Sequence, residues 1–384
     1  MDGSLVAANV REVAARFVEQ RAERLNRTDL DRDDFTALAE TGFLSTGIPA
    51  SRGGLWRDMR QSTRLICELV RTVAKADPSL ALVSTMHTAV LFFWLRDDSC
   101  PAADEKPWAD QCDMIFSGVR DGGWWGTIAS EPGSGGDLLA SKTVAALAPD
   151  GQYRINGDKH FGSGSGVLSY MVTTAVPDGE DLPDLFFLDT REAHWDGSTG
   201  MQLVREWDGI GMSATQSHAF RFDGFPAVRY ARPGQALALA PGSAAFTACT
   251  FSAVIVGIVD AALAEARARL HPRKDGMRPY EKVEWATAVN ECWLIEQAYL
   301  GMLRAVEQDV EPGPSAARGK AAIAGLAEQA MTRISRVIGG SSLSRGAPFG
   351  QWGQDVRALG FLRPPWSLAY DALFDHSWVE PEER

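Results

Sequence analysis

Apolar residues recur at three- and four-residue intervals from residue 5 to residue 45, with Val6, Val13, Phe17, Leu30, Phe35 and Leu38 on the repeating positions. That spacing predicts helix. Gly47, Pro49 and the Gly53-Gly54 pair interrupt it. Helical periodicity resumes over 60–97 and breaks near Asp77-Pro78, where Asp77 is expected to cap a helix whose first residue is Pro78. At Trp124 the texture changes. From there to about Ala227 the runs are short and β-like: WWGTIAS, KTVAALA, QYRING, YMVTTAV, LFFLDT, MQLVREW and HAFRFDGF. Turn formers such as Pro149-Asp150-Gly151 separate them, the rhythm of an antiparallel barrel or sandwich. Beyond Arg232-Pro233-Gly234, Ala-rich segments at 244–270, 281–309 and 316–337 predict a helical bundle, with EPGPSAARG (311–319) as a loop between them. The expected organisation is therefore α+β: a helical domain over 1–122, a β-domain over 123–232 and a helical bundle over 233–384.

Composition narrows the function. A net charge of −12 and a pI near 5.1 disfavour nucleic acid and anionic membrane as partners. Five cysteines (67, 100, 112, 249 and 292) are scattered without metal-site spacing, as expected of reduced thiols in a cytoplasmic protein. The N-terminal run carries charge and has no signal-peptide core, and no stretch of about 18 apolar residues is read as free of charge, so no membrane span is expected. No HExxH zinc motif and no GxSxG nucleophile elbow occurs.

Two glycine-rich stretches stand out in the β-region: TIASEPGSGGD (127–137) and YRINGDKHFGSGSG (153–166). Phe161 offers a flat face, and Ser163, two residues on, is expected on the same side of a strand. Glycines there let backbone approach a ligand closely, although a solvated hairpin would carry the same composition. These stretches resemble the two flavin-contacting motifs of the acyl-CoA dehydrogenase family. WDGIGMSATQSHAFRFDGFPA (207–227) resembles its L-G-x-R-x-[ST] strand, and GGSSLSRGAPFGQWGQDVR (339–357) its G-G-x-G-Y…R-D-x-R stretch. The resemblance implies a helical domain, an antiparallel β-barrel and a four-helix bundle. It implies FAD or FMN at Ile128, Ser130, Phe161 and Ser163, with Arg273 near the cofactor's phosphates and Gly339 and Gly340 near its far half.

Members of that family remove a proton from an acyl thioester with a glutamate. Eight residues after Asp355, where most members carry it, stands Arg363; immediately after Arg273, where a smaller branch carries it, stands Lys274. Neither cation can act as a carboxylate base. A flavin scaffold without its base resembles the family's oxygen-using branch, the reduced-flavin monooxygenases. That resemblance implies a flavin supplied reduced by a separate NAD(P)H:flavin reductase, O2 as co-substrate through a C4a-hydroperoxide, and a homotetramer or homodimer. It places His87 and Ser163 beside the flavin, and Arg363 is a third candidate. Trp124, Phe361, Leu362 and Trp366 could line a pocket for an aromatic or indole-like molecule; for Trp366 a plain amphipathic helix explains the pattern as well. The alternatives are an acyl-CoA or acyl-carrier-protein dehydrogenase with a relocated base, and an amino-sugar N-oxygenase.

Overall fold

The computed structural model describes residues 1–95, 105–362 and 365–378. The chain opens with α1 (Gly3–Glu19), α2 (Arg21–Arg24), α3 (Arg32–Glu40), α4 (Met59–Ala74), α5 (Pro78–Leu95) and α6 (Glu105–Arg120). The periodicity over 5–45 is thus split among three helices. Residues 26–31, polar except for buried Leu30, lie between α2 and α3, and Asp31 caps α3 through the Asp33 amide at 2.9 Å. Asp77 caps α5 as expected: one carboxylate oxygen accepts from Leu80 N–H at 2.9 Å, while the other holds Arg24 at 2.9 Å.

One sequence expectation needs correction. Residues 78–95 contain no charged side chain, so an uncharged 18-residue helix does exist. It and a window beginning at Gly242 are long and apolar enough to cross a membrane, yet 78% and 83% of those windows are buried inside the fold. An all-round apolar helix is what a core position requires.

The middle of the chain forms β1 (Trp125–Thr127), β2 (Val144–Leu147), β3 (Tyr153–Gly162), β4 (Tyr170–Pro177), β5 (Asp184–Asp189), β6 (Met201–Arg205) and β7 (His218–Arg229). Every one overlaps a run expected to be strand, and β3 and β7 continue four or five residues past theirs. Pairing runs β4–β2–β3–β7–β5 and returns from β5 to β4, which closes a barrel; β6 flanks β7 and β1 flanks β4. The barrel is not wholly antiparallel, because β4 runs parallel to both β1 and β2. Loop 128–143 carries the chain from β1 to β2, and β3 with its flanking loops 148–152 and 163–169 carries it on to β4; period-two patterning alone does not reveal strand direction.

The C-terminal helices are α7 (Ala236–Leu270), α8 (Pro279–Gln308), α9 (Pro312–Ile338), α10 (Pro348–Gly360) and α11 (Trp366–Ser377). α7, α8 and α9 pack together and α10 lies against α7 and α9, completing the four-helix layer; α11 lies on α9. The loop expected over 311–319 is nearly absent. Pro312 sits in the first turn of α9, where a missing N–H costs nothing, and left-handed Asp309 and Glu311 make the sharp turn before it.

Candidate active site

A buried ion pair underlies the two glycine-rich stretches. Lys159, fully buried on β3, donates to Glu131 at 2.6 Å and to the Thr174 carbonyl of β4 at 2.6 Å. Glu131 also accepts from Ser141 Oγ at 2.5 Å and from the Lys142 and Thr143 amides at 2.7 and 3.2 Å. Its carboxylate thereby closes loop 131–143 onto the barrel. Burial works against the charged form, but the bonds from Lys159, Ser141 and Lys142 outweigh it and bring the Glu131 carboxyl down to about 2. Sequence reading passed over this pair, although both charges stand inside the quoted motifs.

Beyond Lys159 the strand does not run straight. The β3–β7 register shifts between Lys159 and Gly162, placing His160 and Phe161 opposite Ala219 alone. Such a bulge re-aims a side chain. His160 N–H turns instead to the Ser130 carbonyl at 2.8 Å, joining the two motifs. Phe161 adopts φ +60° and is 56% exposed, a strained aromatic side chain held outward with Trp207 edge-on at 6.0 Å. Ser163 is therefore not on Phe161's face, as strand alternation predicted: its N–H bonds the Phe161 carbonyl across a tight turn, and its side chain is buried against Ser217 at 2.7 Å. Ile128 is buried below, bonded through its backbone to Val172 and Thr173, and Ser130 is half-buried at the start of the loop. An exposed ring, a buried hydroxyl and a loop of open, left-handed glycines (Gly133 and Gly135) fit a planar ring system with a polar edge.

His87 lies behind this surface. Its ring is fully buried; Nδ1 accepts the Trp125 N–H at 3.3 Å and Nε2 meets the Leu44 carbonyl at 3.2 Å. Burial, opposed by the Leu44 bond, pushes its pKa down to about 4, so the ring is neutral with its proton on Nε2. Trp124 turns into the core, edge-on to Phe35 and His87 and stacked on Phe43, instead of facing an open cavity. On the other side, Phe361 is exposed, Leu362 and Trp366 are half-buried, and Pro365 stands where a side chain at Gly136 would press on it. Lys320 of α9, nearly buried, donates to the Leu362 carbonyl; burial brings its pKa down to about 8. Arg363 lies outside the described residues. Arg273 bonds the Val337 carbonyl at 2.6 Å and Glu281 at 2.8 Å, which brings it to the end of α9 beside Gly339 and Gly340.

Profiles for two parts of one family match the chain: the acyl-CoA dehydrogenase N-terminal domain over residues 2–96 and the acyl-CoA dehydrogenase middle domain over residues 126–225. The chain belongs to the acyl-CoA dehydrogenase superfamily. It is 30% identical over 256 residues to a dibenzothiophene monooxygenase of Mycolicibacterium goodii, covering 62% of this chain and 55% of that protein. It is 28% identical over 273 residues to a probable FMNH2-dependent monooxygenase of Pseudomonas putida, covering 68% and 60%. The matched part thus spans little more than half the length of these relatives. Among solved structures, a dibenzothiophene monooxygenase from Paenibacillus sp. A11-2 in complex with FMN and indole superposes with a TM-score of 0.78 at 20% identity over 99% of both chains.

Within the superfamily frame, Ser213 stands where the L-G-x-R arginine is expected, and its neighbourhood shows the consequence. Asp355 of α10 is buried and accepts the Met212 N–H at 2.6 Å and Gln351 Nε2 at 2.8 Å. Burial, with the charge of Asp77 adding to it, pushes its carboxyl up to about 7 despite those two bonds. Ser213, Asp77, Arg24 and Asp355 share a recess of about 30 Å³, room for one water. A second recess, about 380 Å³, is lined by Val18, Arg21, Lys75, Asp260 and Glu265, none of which belongs to the flavin motifs.

Proposed function

We propose that the protein is a flavin-dependent monooxygenase that takes reduced FMN, or FAD, from a separate NAD(P)H:flavin reductase and uses O2 to hydroxylate a small aromatic or indole-like molecule. One observation carries this reading: neither superfamily base position bears a carboxylate, being Arg363 and Lys274, and residues 356–370 contain no Asp or Glu at all. The names of the relatives support it.

A bound reduced flavin would supply the electrons that activate O2. The chain's own part is to hold the ring and keep water out. Phe161 lends a flat face, Ile128 and Ser130 the ring edge, and Ser163 a hydroxyl. Glu131 and Lys159 keep the ring-bearing loop in place. Phe361, Leu362 and Trp366 close the apolar side, and Lys320 fixes the turn that carries them. Arg273 reaches the cofactor's phosphates from a neighbouring copy of the chain, and Gly339 and Gly340 take its far half. His87, with both nitrogens on backbone, holds the Leu44 and Trp125 segments behind the site. Exposed Tyr280, Val283 and Trp293 on α8 support self-association as a dimer or tetramer through the bundle.

Incubation with FMN, NADH, a flavin reductase and ¹⁸O2 tests the assignment on a panel of indoles, thiophenes and aminodeoxy sugars. One ¹⁸O atom is expected in the product, and none when the reductase is left out. Bleaching of the oxidised, enzyme-bound flavin by an acyl-CoA under anaerobic conditions would instead mark a dehydrogenase. Phe161→Gly separates function from folding. Relief of the left-handed strain is worth roughly 1 kcal/mol, so stability by denaturant titration should hold or rise, while FMN affinity should drop about tenfold with the lost aromatic face.

A further inference from the structure

The strained Phe161 ring has a second aromatic at its edge. Trp207 stands two residues past the end of β6, outside both glycine-rich stretches, and its ring meets that of Phe161 at 80° with centroids 6.0 Å apart. A bulky residue at φ +60° keeps that conformation only where its surroundings impose it. Relaxation to a negative φ would swing the ring away from the surface it now occupies.

Trp207 is itself pinned from three directions. Its backbone N–H donates to His218 Nδ1 at 2.9 Å, and its indole Nε1–H donates to the Met212 carbonyl at 2.9 Å. Gly209 lies flat against the indole: a Cβ there would fall 2.0 Å from Cζ2, so the ring's place requires glycine at 209. Both hydrogen-bond acceptors are fixed in turn. Met212 is left-handed (φ +53°) at the bend between β6 and β7, where Asp355 accepts its N–H at 2.6 Å. His218 is buried with its ring edge-on to Trp195 and Phe220, and its backbone pairs with Gly162, the residue after Phe161. Phe161, Trp207, His218 and Gly162 thus close a circuit across the β3 bulge. A half-buried indole that merely filled space could leave its N–H to water; this one has its plane fixed as well as its position.

We propose that Trp207 is a positioning residue: it holds the Phe161 ring outward and acts on the bound flavin solely through Phe161. The inference rests on the flavin reading above and deepens it.

The test is a cycle of dissociation constants for reduced FMN, titrated anaerobically into the whole protein, Trp207→Leu, Phe161→Gly and the double variant. Trp207→Leu should weaken binding about fivefold, the factor carried by one edge-on aromatic pair. Phe161→Gly should weaken it about tenfold, and the double variant should bind no worse than Phe161→Gly alone, because no ring is left to position. Trp207→Phe keeps an aromatic edge and should stay within about twofold of wild type, a rescue that leucine does not give. Gly209→Ala, which displaces the indole without truncating it, should act like Trp207→Leu and takes its place in the cycle if that variant does not fold. Losses that multiply to about fiftyfold in the double variant would mean that Trp207 acts independently of Phe161. That result, or unweakened binding in Trp207→Leu, would overturn the proposal and leave the flavin assignment standing. A wild type that does not bind reduced FMN would overturn both.

Discussion

Lys159→Met is expected to cost about 3–5 kcal/mol of unfolding free energy, the usual effect of stripping one partner from a buried ion pair. The loss follows from what remains. Glu131 would keep its hydrogen bonds to Ser141, Lys142 and Thr143 but would sit under the loop as an uncompensated charge. The Thr174 carbonyl would also lose its donor. Glu131→Gln in the same chain removes the stranded charge, so the double variant should be more stable than Lys159→Met alone, even though it lacks the pair entirely. Urea midpoints of the three proteins check this; a double variant no better than the single would show that packing, and not charge, carries the cost. The pair also sets an acid limb. The Glu131 carboxyl falls from 4.5 to about 2 on folding, so its stabilisation is complete above pH 4.5 and fades as pH drops from there through 2. Because the same carboxylate closes loop 131–143, flavin retention should fail along with stability in Lys159→Met.

That pair also marks how far the sequence could be read. The seven strands were legible because short β-branched and aromatic runs sit between Pro-Asp-Gly turns, and those signals are local. The cap at Asp77 was legible for the same reason. Strand direction was not: the parallel pairings of β4 depend on where the intervening loops run. Nor was the start of α9, where Pro312 and Pro314 read as loop although proline is at home in a first turn. At the site, Phe161 and Ser163 were found from their motif, but their relation was misjudged. A bulge placing two residues opposite Ala219 breaks the alternation that put them on one face. His87 was placed beside the flavin by the resemblance, and only tertiary placement shows both nitrogens committed to backbone.

Asp355→Asn is expected to stabilise the protein at neutral and alkaline pH. Among the described residues the carboxyl bonds no cation: its neighbours are Gln351 on its own helix, the Met212 amide and Ser213 from the β6–β7 bend, and Asp77 from the start of α5. Two arginines line the same recess, but Arg24 is committed to Asp34 and Asp77 at 2.5 and 2.9 Å, and Arg21 lies over the Trp352 ring and donates to the Lys75 carbonyl at 3.2 Å. The proton is therefore held more tightly in the folded chain than in the unfolded one, at about 7 against an ordinary 3.8. Stability from this group is complete below pH 3.8, declines as pH rises, and is gone above about 7. At ~1.4 kcal/mol for each pH unit, the fall is on the order of 4 kcal/mol. Asparagine can still accept the Met212 N–H through its Oδ1 but never ionises, so that slope should vanish. Urea titrations of both proteins at pH 5 and pH 8 should show wild type losing ground between the two values and Asp355→Asn holding nearly level. Parallel losses in the two would mean that Asp355 stays ionised in the fold, with a water in the 30 Å³ recess or the Arg24 cluster carrying its charge.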